Sequence, residues 1–255
     1  MRIAIVNCNT SQAMTDVIAA AARAAARPGT TILALTPTWG VRAAEGFYDS
    51  FLSAASVLDL LASWDGEADA VVMAGFGEHG REGARQLLDI PVVDITEAGA
   101  MFANLVAYEY GVVTTTGPTV PQIRQSLAAA GLSQRCVGVR ATGLGVLELD
   151  LREERTVAAF VAQGRALIEL GAEAIVLGCA GVAGLQGELL AALGIPVIDG
   201  VGAAVSLCED LVHHRLGTSK IGAFAPPARD NRIMPAARFE MTGARSIMRT
   251  QDGRE

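Results

Sequence analysis

Of the four cysteines in this 255-residue chain, at positions 8, 136, 179 and 208, one stands in a setting suited to thiol chemistry. Cys179 lies in Val176-Leu-Gly-Cys-Ala-Gly-Val182, an apolar run that gives way to small residues, the pattern of a strand-to-helix turn. A thiol at the start of a helix meets the positive end of the helix dipole, so its pKa is expected to fall from about 8.5 toward neutrality. The N–H groups of Ala180 and Gly181, reached past Gly178, could hold a developing oxyanion or enolate. The competing reading is a buried thiol that acts only as a small hydrophobe, the common state of a free cysteine. Cys136 and Cys208, in apolar strand and helix contexts, read as core. No two cysteines form a Cys-x-x-Cys pair, so neither a zinc ribbon nor a thioredoxin-type redox motif is available.

Gly75-Phe-Gly-Glu-His-Gly80 follows another apolar run and has the G-x-G-x-x-G spacing, with Asp94 at the distance of a ribose-binding acid. Only ten residues separate Gly80 from Pro91, which is short for a nucleotide-binding helix and its turn. A tight turn using glycine for backbone freedom is the better reading, and no nucleotide cofactor is expected. Gly75, Phe76 and Gly77 then become candidate cleft residues. His79 in the same turn is a candidate acid or base, with a solvated loop histidine as the simpler alternative. His213 and His214 are adjacent and cannot both face one ion from a helix, so no metal site is expected.

Val6-Asn-Cys-Asn-Thr-Ser11 closes the first apolar run, with Thr10 or Ser11 as the cap of the helix that follows and Asn9 free to hydrogen-bond. Its later counterpart is Val113-Thr-Thr-Thr-Gly-Pro118, which puts Thr114 and Thr115 in the same role. Hydroxyls and amides of this kind suit a small polar substrate, and Cys8 is the second thiol within reach of such a site. Tyr48, in Glu45-Gly-Phe-Tyr48, either covers the cleft or begins a helix half-buried.

The elements that must position these residues are short Val/Ile/Ala runs alternating with longer Ala/Leu-rich stretches. Bounded apolar runs separated by helical patterns predict parallel strands covered on both faces. The chain also matches itself. Ala68 to Gly77 aligns with Ala172 to Gly181 at an offset of 104, and Ile90-Pro-Val-Val-Asp94 recurs as Ile195-Pro-Val-Ile-Asp199 at 105. Such a repeat predicts an α/β fold of two pseudo-symmetric lobes, each a mainly parallel sheet flanked by helices. The first lobe is expected to comprise residues 1–96 and 201–255, and the second 97–200. Ligands of such sheets bind beyond the carboxyl ends of the strands, so the repeat sets Gly75 opposite Cys179 across one cleft between the lobes.

An apolar fraction of 51% supports a large core, while a net charge of −7 without basic runs gives no footprint for nucleic acid or an anionic membrane. A small-molecule partner is expected. The first apolar run is too brief for a signal or membrane segment, which predicts a cytoplasmic protein, and a homo-oligomer is the general expectation for such an enzyme.

Together these motifs resemble the hydantoin racemases and their allantoin-specific relatives within the aspartate/glutamate racemase superfamily. The resemblance rests on Ile5-Val-Asn-Cys-Asn-Thr-Ser11, Glu45-Gly-Phe-Tyr48, Gly75-Phe-Gly77, Val112-Val-Thr-Thr115, Val139-Arg-Ala-Thr-Gly143, Ile175-Val-Leu-Gly-Cys-Ala-Gly181 and Thr218-Ser-Lys220 with Ala225-Pro-Pro227. These span nearly the whole chain. The resemblance implies two thiols on opposite faces of the substrate carbon, one removing the proton α to a carbonyl and the other returning one, with no metal, pyridoxal or nucleotide. It implies that Cys179 is the second-lobe acid/base and that Asn9, Thr10, Thr114 and Thr115 line the pocket.

Two departures bear on this. Gly75 stands where the family carries its first-lobe cysteine, and Cys8 stands where it carries proline. Glycine cannot carry a proton, which leaves three arrangements open. One is a chain inactivated at position 75 that holds substrate without turning it over. A second is a single-thiol enzyme that protonates an enolate of a carboxylate substrate from one face, in the manner of the arylmalonate decarboxylases. In the third, Cys8 serves as the second base. The leading expectation is a cofactor-independent racemase of 5-substituted hydantoins or related ureides; a decarboxylase or isomerase and a turnover-deficient binding protein are the alternatives.

Overall fold

The computed structural model describes residues 1–149 and 153–228. The remainder of the tail assigned to the first lobe, 229–255, lies outside the described residues. Strands β1 Arg2–Asn7, β2 Thr31–Leu35, β3 Ala70–Ala74 and β4 Val92–Asp94 pair in parallel in the order β2-β1-β3-β4. Strands β5 Tyr110–Thr114, β6 Cys136–Ala141, β7 Ala174–Leu177 and β8 Val197–Asp199 repeat that order as β6-β5-β7-β8, again all parallel. The central strands β3, β5 and β7 are buried at every position, because helices cover both faces and their Val/Ile/Ala runs have no solvent side.

Among the described residues the α-helices are α1 Gln12–Ala25, α2 Phe47–Ser63, α3 Arg81–Leu87, α4 Ile95–Val106, α5 Val120–Ala129, α6 Glu154–Ile168, α7 Gln186–Leu193 and α8 Gly200–His213. The second repeated block explains how each lobe ends. Pro91 and Pro196 precede β4 and β8, where a missing N–H costs nothing, and their carbonyls accept from Val71 and Ile175 of the neighbouring strand at 2.9 Å. Asp94 and Asp199 then cap the next helix, accepting from Thr96 and Glu97 in α4 and from Val201 and Gly202 in α8.

Helices α4 and α8 pack against each other and against both halves of the molecule, α4 on β7 and β8 and α8 on β3, β4 and α1. Their close approach needs Gly200, where a Cβ would lie 2.5 Å from the Ile95 carbonyl oxygen. One apolar cluster therefore runs from Ile3, Ile5 and Val72 through to Val112, Val176 and Ile198. After β8 the chain returns to the first sheet. Cys208 is buried, and the buried Glu209 accepts from the Arg27 N–H at 2.9 Å and the Thr30 hydroxyl at 2.6 Å. Thr218 donates to the Asp89 and Ile90 carbonyls. Cys136, expected in the core, is half-buried because β6 is the edge of its sheet. Among the described residues no helix is long and apolar enough to cross a membrane.

Candidate active site

Both sheets point the carboxyl ends of their inner strands at one cleft. Its open space, solvent at the mouth included, is about 450 Å³. The loop after β1 contributes Asn7, Cys8 and Asn9, and that after β3 contributes Gly75, Phe76 and His79. Across the cleft stand Thr114, Thr115 and Thr119 from the end of β5, then Gly178, Cys179, Ala180 and Gly181 after β7. Met14 and Ile18 of α1, with Ala44 and Val146, supply apolar walls. Gly75 and Cys179, equivalent by the repeat, thus line the same cavity.

The first loop is held by Asn7, whose amide nitrogen donates to Asn9 Oδ1 at 3.0 Å, the Ser11 carbonyl at 3.2 Å and Thr15 Oγ1 at 3.0 Å. Asn9 Oδ1 also accepts from the Ser11 N–H at 2.9 Å. Asn9 is therefore not free: its oxygen is committed to the turn, and only its amide nitrogen remains for a ligand. Of the two candidate caps, Ser11 caps α1 through the Met14 N–H, while Thr10 turns to the Val41 carbonyl and does not line the cavity. Gly77 likewise serves the loop, with its N–H on Thr96 Oγ1 at 2.8 Å and its carbonyl accepting from Ser126 Oγ at 2.9 Å. Tyr48 is 76% exposed near the start of α2, neither half-buried nor lining the cavity.

Thr114 Oγ1 donates to the Gly178 carbonyl at 3.0 Å, tying β5 to the turn that carries Cys179. A Cβ at 178 would sit 2.9 Å from Val112 and 3.0 Å from Thr114, so only glycine fits beside the thiol. The segment after Cys179 opens as a 3₁₀ turn, Ala180–Leu185, and the α-helix starts only at Gln186. The expected lowering of the Cys179 pKa does not occur. Burial pushes the thiol up to about 11, with the Gly181 amide working against the shift and the Glu45 carboxylate adding to it. Burial likewise raises Cys8 to about 12, with Cys179 and Asp94 contributing in the same direction. Both are protonated thiols at neutral pH. We expect iodoacetamide to modify Cys179 at pH 8 at least about 100-fold more slowly than a peptide cysteine, since a rise of two pKa units removes that much thiolate. Peptide mapping by mass spectrometry reads the rate; alkylation of Cys179 at a peptide-like rate would return it to an ordinary pKa, and a faster rate would restore the lowered one.

The turn after β3 folds back under α2. Gly77 and Gly80 take φ of +119° and +96°, and Glu78 Oε1 accepts from the N–H groups of Gly80 and Arg81. Gln122 of α5 donates to the Glu78 carbonyl at 2.9 Å. The buried Arg81 anchors the segment, with Glu82, Glu97 and Asp94 around its guanidinium at 2.6, 3.4 and 3.7 Å. His79 is consequently not a solvated loop residue: it is 4% exposed and faces the cavity. Burial lowers its pKa to about 4, so the ring is neutral, and its Nδ1 is buried without a hydrogen-bond partner.

Glu45 belongs to a motif visible in the sequence, yet its place at the site was not. Its carboxylate accepts from the Val146 N–H at 2.8 Å, bridging the two lobes at the rim of the cleft. Met14 and Ile18 were hidden for another reason, since nothing local separates a cavity-facing apolar side chain from a core one.

The duplicated parallel sheets and the thiol between them define a two-lobed α/β protein of the aspartate/glutamate racemase type. The chain belongs to the Asp/Glu/Hydantoin racemase family, whose model matches residues 3–208. A hydantoin racemase of Pseudomonas sp. (strain NS671) is 36% identical over 231 residues, covering 90% of this chain and 93% of the relative. The crystal structure of an allantoin racemase from Pseudomonas fluorescens is 48% identical with a TM-score of 0.89, over 92% of this chain and 100% of that one. An allantoin racemase from Klebsiella pneumoniae is 40% identical with a TM-score of 0.87, over 94% and 98% respectively.

Proposed function

We propose that this chain is a racemase of 5-substituted hydantoins or related ureides, allantoin among them, which moves the proton at the carbon α to the ring carbonyl without a cofactor. The observation that carries this reading is the half-buried Cys179 thiol in a cleft whose other wall carries titratable groups, with the Asn9 amide and the Thr115 hydroxyl beside them. A proton α to a carbonyl is removed when the resulting charge delocalises into that carbonyl and donors hold the oxygen. The Ala180 N–H after β7 and the Thr115 hydroxyl after β5 are donors at the cleft.

Because Gly75 cannot carry a proton, a one-face reaction of a carboxylate, in which loss of CO₂ leaves an enolate that Cys179 protonates, is the second reading. Proton NMR in D₂O separates them. With each enantiomer of 5-benzylhydantoin and of allantoin, and enzyme-free controls, loss of the α-proton signal together with loss of optical rotation is expected. Exchange with full retention of rotation, or no exchange with either compound, would overturn the racemase reading.

A further inference from the structure

Gly75 is not an empty position. A Cβ placed there would lie 2.3 Å from Cδ2 and 2.9 Å from Cγ of the His79 ring, and 2.7 Å from the Cys8 Cβ. The imidazole therefore fills the volume into which a side chain at 75 would extend, on the wall of the cleft that faces Cys179. Nε2 is bonded to Cδ2, the ring atom nearest that point. Nδ1 is buried without a hydrogen-bond partner within ordinary geometry, while the Phe76 backbone, next to the ring, works against the lowering of its pKa. The ring is aimed by a built turn: two left-handed glycines, the Glu78 carboxylate on two backbone N–H groups, and Gln122 on the Glu78 carbonyl.

We propose that His79 is the second acid/base group of this site, its Nε2 taking the place of a first-lobe thiol and facing Cys179 across the substrate carbon. This rests on the racemase reading and completes it. In one direction the neutral ring takes the α-proton at Nε2, and the C–H electron pair passes into the carbonyl as an enolate. The Cys179 Sγ–H proton is then delivered to the opposite face of the carbon. The enzyme is left with an imidazolium and a thiolate, the pair needed to process the other enantiomer, or it resets by exchanging protons with solvent. The neutral imidazole needs no deprotonation to begin, whereas Cys8 would first have to lose a proton held up to about 12; the burial that keeps the ring neutral also makes it a weak base, so the donors that hold the enolate oxygen must carry the larger share.

The test measures α-proton exchange in D₂O for each hydantoin enantiomer separately, in the parent and in His79→Gln, Cys8→Ala and Cys179→Ser. His79→Gln keeps a planar polar side chain and removes the base; its melting curve shows whether it folds. We expect it to lose racemisation by roughly 100-fold or more. Exchange from one enantiomer should fall with it, while the other, whose proton faces Cys179, still exchanges with retention. Cys179→Ser should show the opposite selectivity, and Cys8→Ala, which alters the lining but removes no base, should show no selectivity between the enantiomers. A folded His79→Gln at the parental rate would overturn the proposal, as would equal loss for both enantiomers. Enantiomer-selective loss in Cys8→Ala alone would assign the role to Cys8, leaving the racemase reading intact. Should His79→Gln not fold, His79→Ala assayed with added free imidazole replaces it, and rescue of the same single enantiomer is expected; its absence overturns the assignment. Failure of the parent to exchange either enantiomer would instead strike the racemase reading itself.

Discussion

Cys179→Ala is expected to lower racemisation by on the order of 10³-fold or more while leaving the fold in place. Among the described residues the thiol is the one titratable group that the second lobe presents to the cleft, standing between Gly178 and Ala180. Positioned proton transfer contributes roughly 10² to 10⁴ in rate, and alanine can neither accept nor return a proton. The side chain it truncates is partly exposed to the cavity, so the loss in stability should stay near the lower end for a surface-accessible cysteine, about 1 kcal/mol or less. A polarimetric assay beside a melting curve checks both halves. Retention of even a tenth of the activity would remove Cys179 from the reaction and leave its turn as a binding element.

Why the fold was legible in the sequence is plain from its strands. Parallel strands buried on both faces must be written in runs of Val, Ile and Ala, and each run here is stopped by a polar or glycine turn. The repeat supplied what periodicity could not, because Ile-Pro-Val-Val-Asp94 and Ile-Pro-Val-Ile-Asp199 perform the same three local tasks in each lobe: carbonyl pairing before the strand, extension, and capping of the next helix. Equivalence at that level places the turns after β3 and β7 on matching ends of matching sheets.

The electrostatics of the site were not legible, since burial is not a local property. Helix-dipole reasoning for Cys179 sees only the residues on either side of it. The pKa is instead set by the desolvation imposed by the surrounding walls, which come from elements far along the chain, and by Glu45 from the other lobe. The burial of His79 is hidden from the sequence for the same reason: the turn is polar, but Arg81 and Gln122 tie it to α5, and the ring is buried. Thr10 and Ser11 show a finer limit. Adjacent hydroxyls are equivalent candidates for a cap, and the choice falls to the one whose neighbour can hydrogen-bond elsewhere, here Thr10 to Val41.

Substituting Gly75→Cys, which restores a thiol at the repeat-equivalent position, is expected to damage this protein rather than improve it. The new Cβ would overlap the His79 ring at 2.3 Å and the Cys8 Cβ at 2.7 Å, and neither is the free end of a flexible chain. Overpacking of a closed site costs about 1–3 kcal/mol, which for a chain of this size lowers Tm by several degrees. The ring must also leave its place, so any gain from the thiol comes at the loss of the imidazole. His79→Ala alone errs the other way, opening a void behind the cleft. The two changes together fit each other, because the thiol enters the volume that the ring vacates. Gly75→Cys/His79→Ala should therefore melt higher than either single variant and racemise at least about 100-fold faster than His79→Ala, a non-additivity of the kind shown by groups sharing one space. Thermal melts and polarimetry on the four members of the cycle decide it. Additive losses in the pair, or a Gly75→Cys variant that melts and racemises as well as the parent, would show that the ring does not hold the place of a side chain at 75.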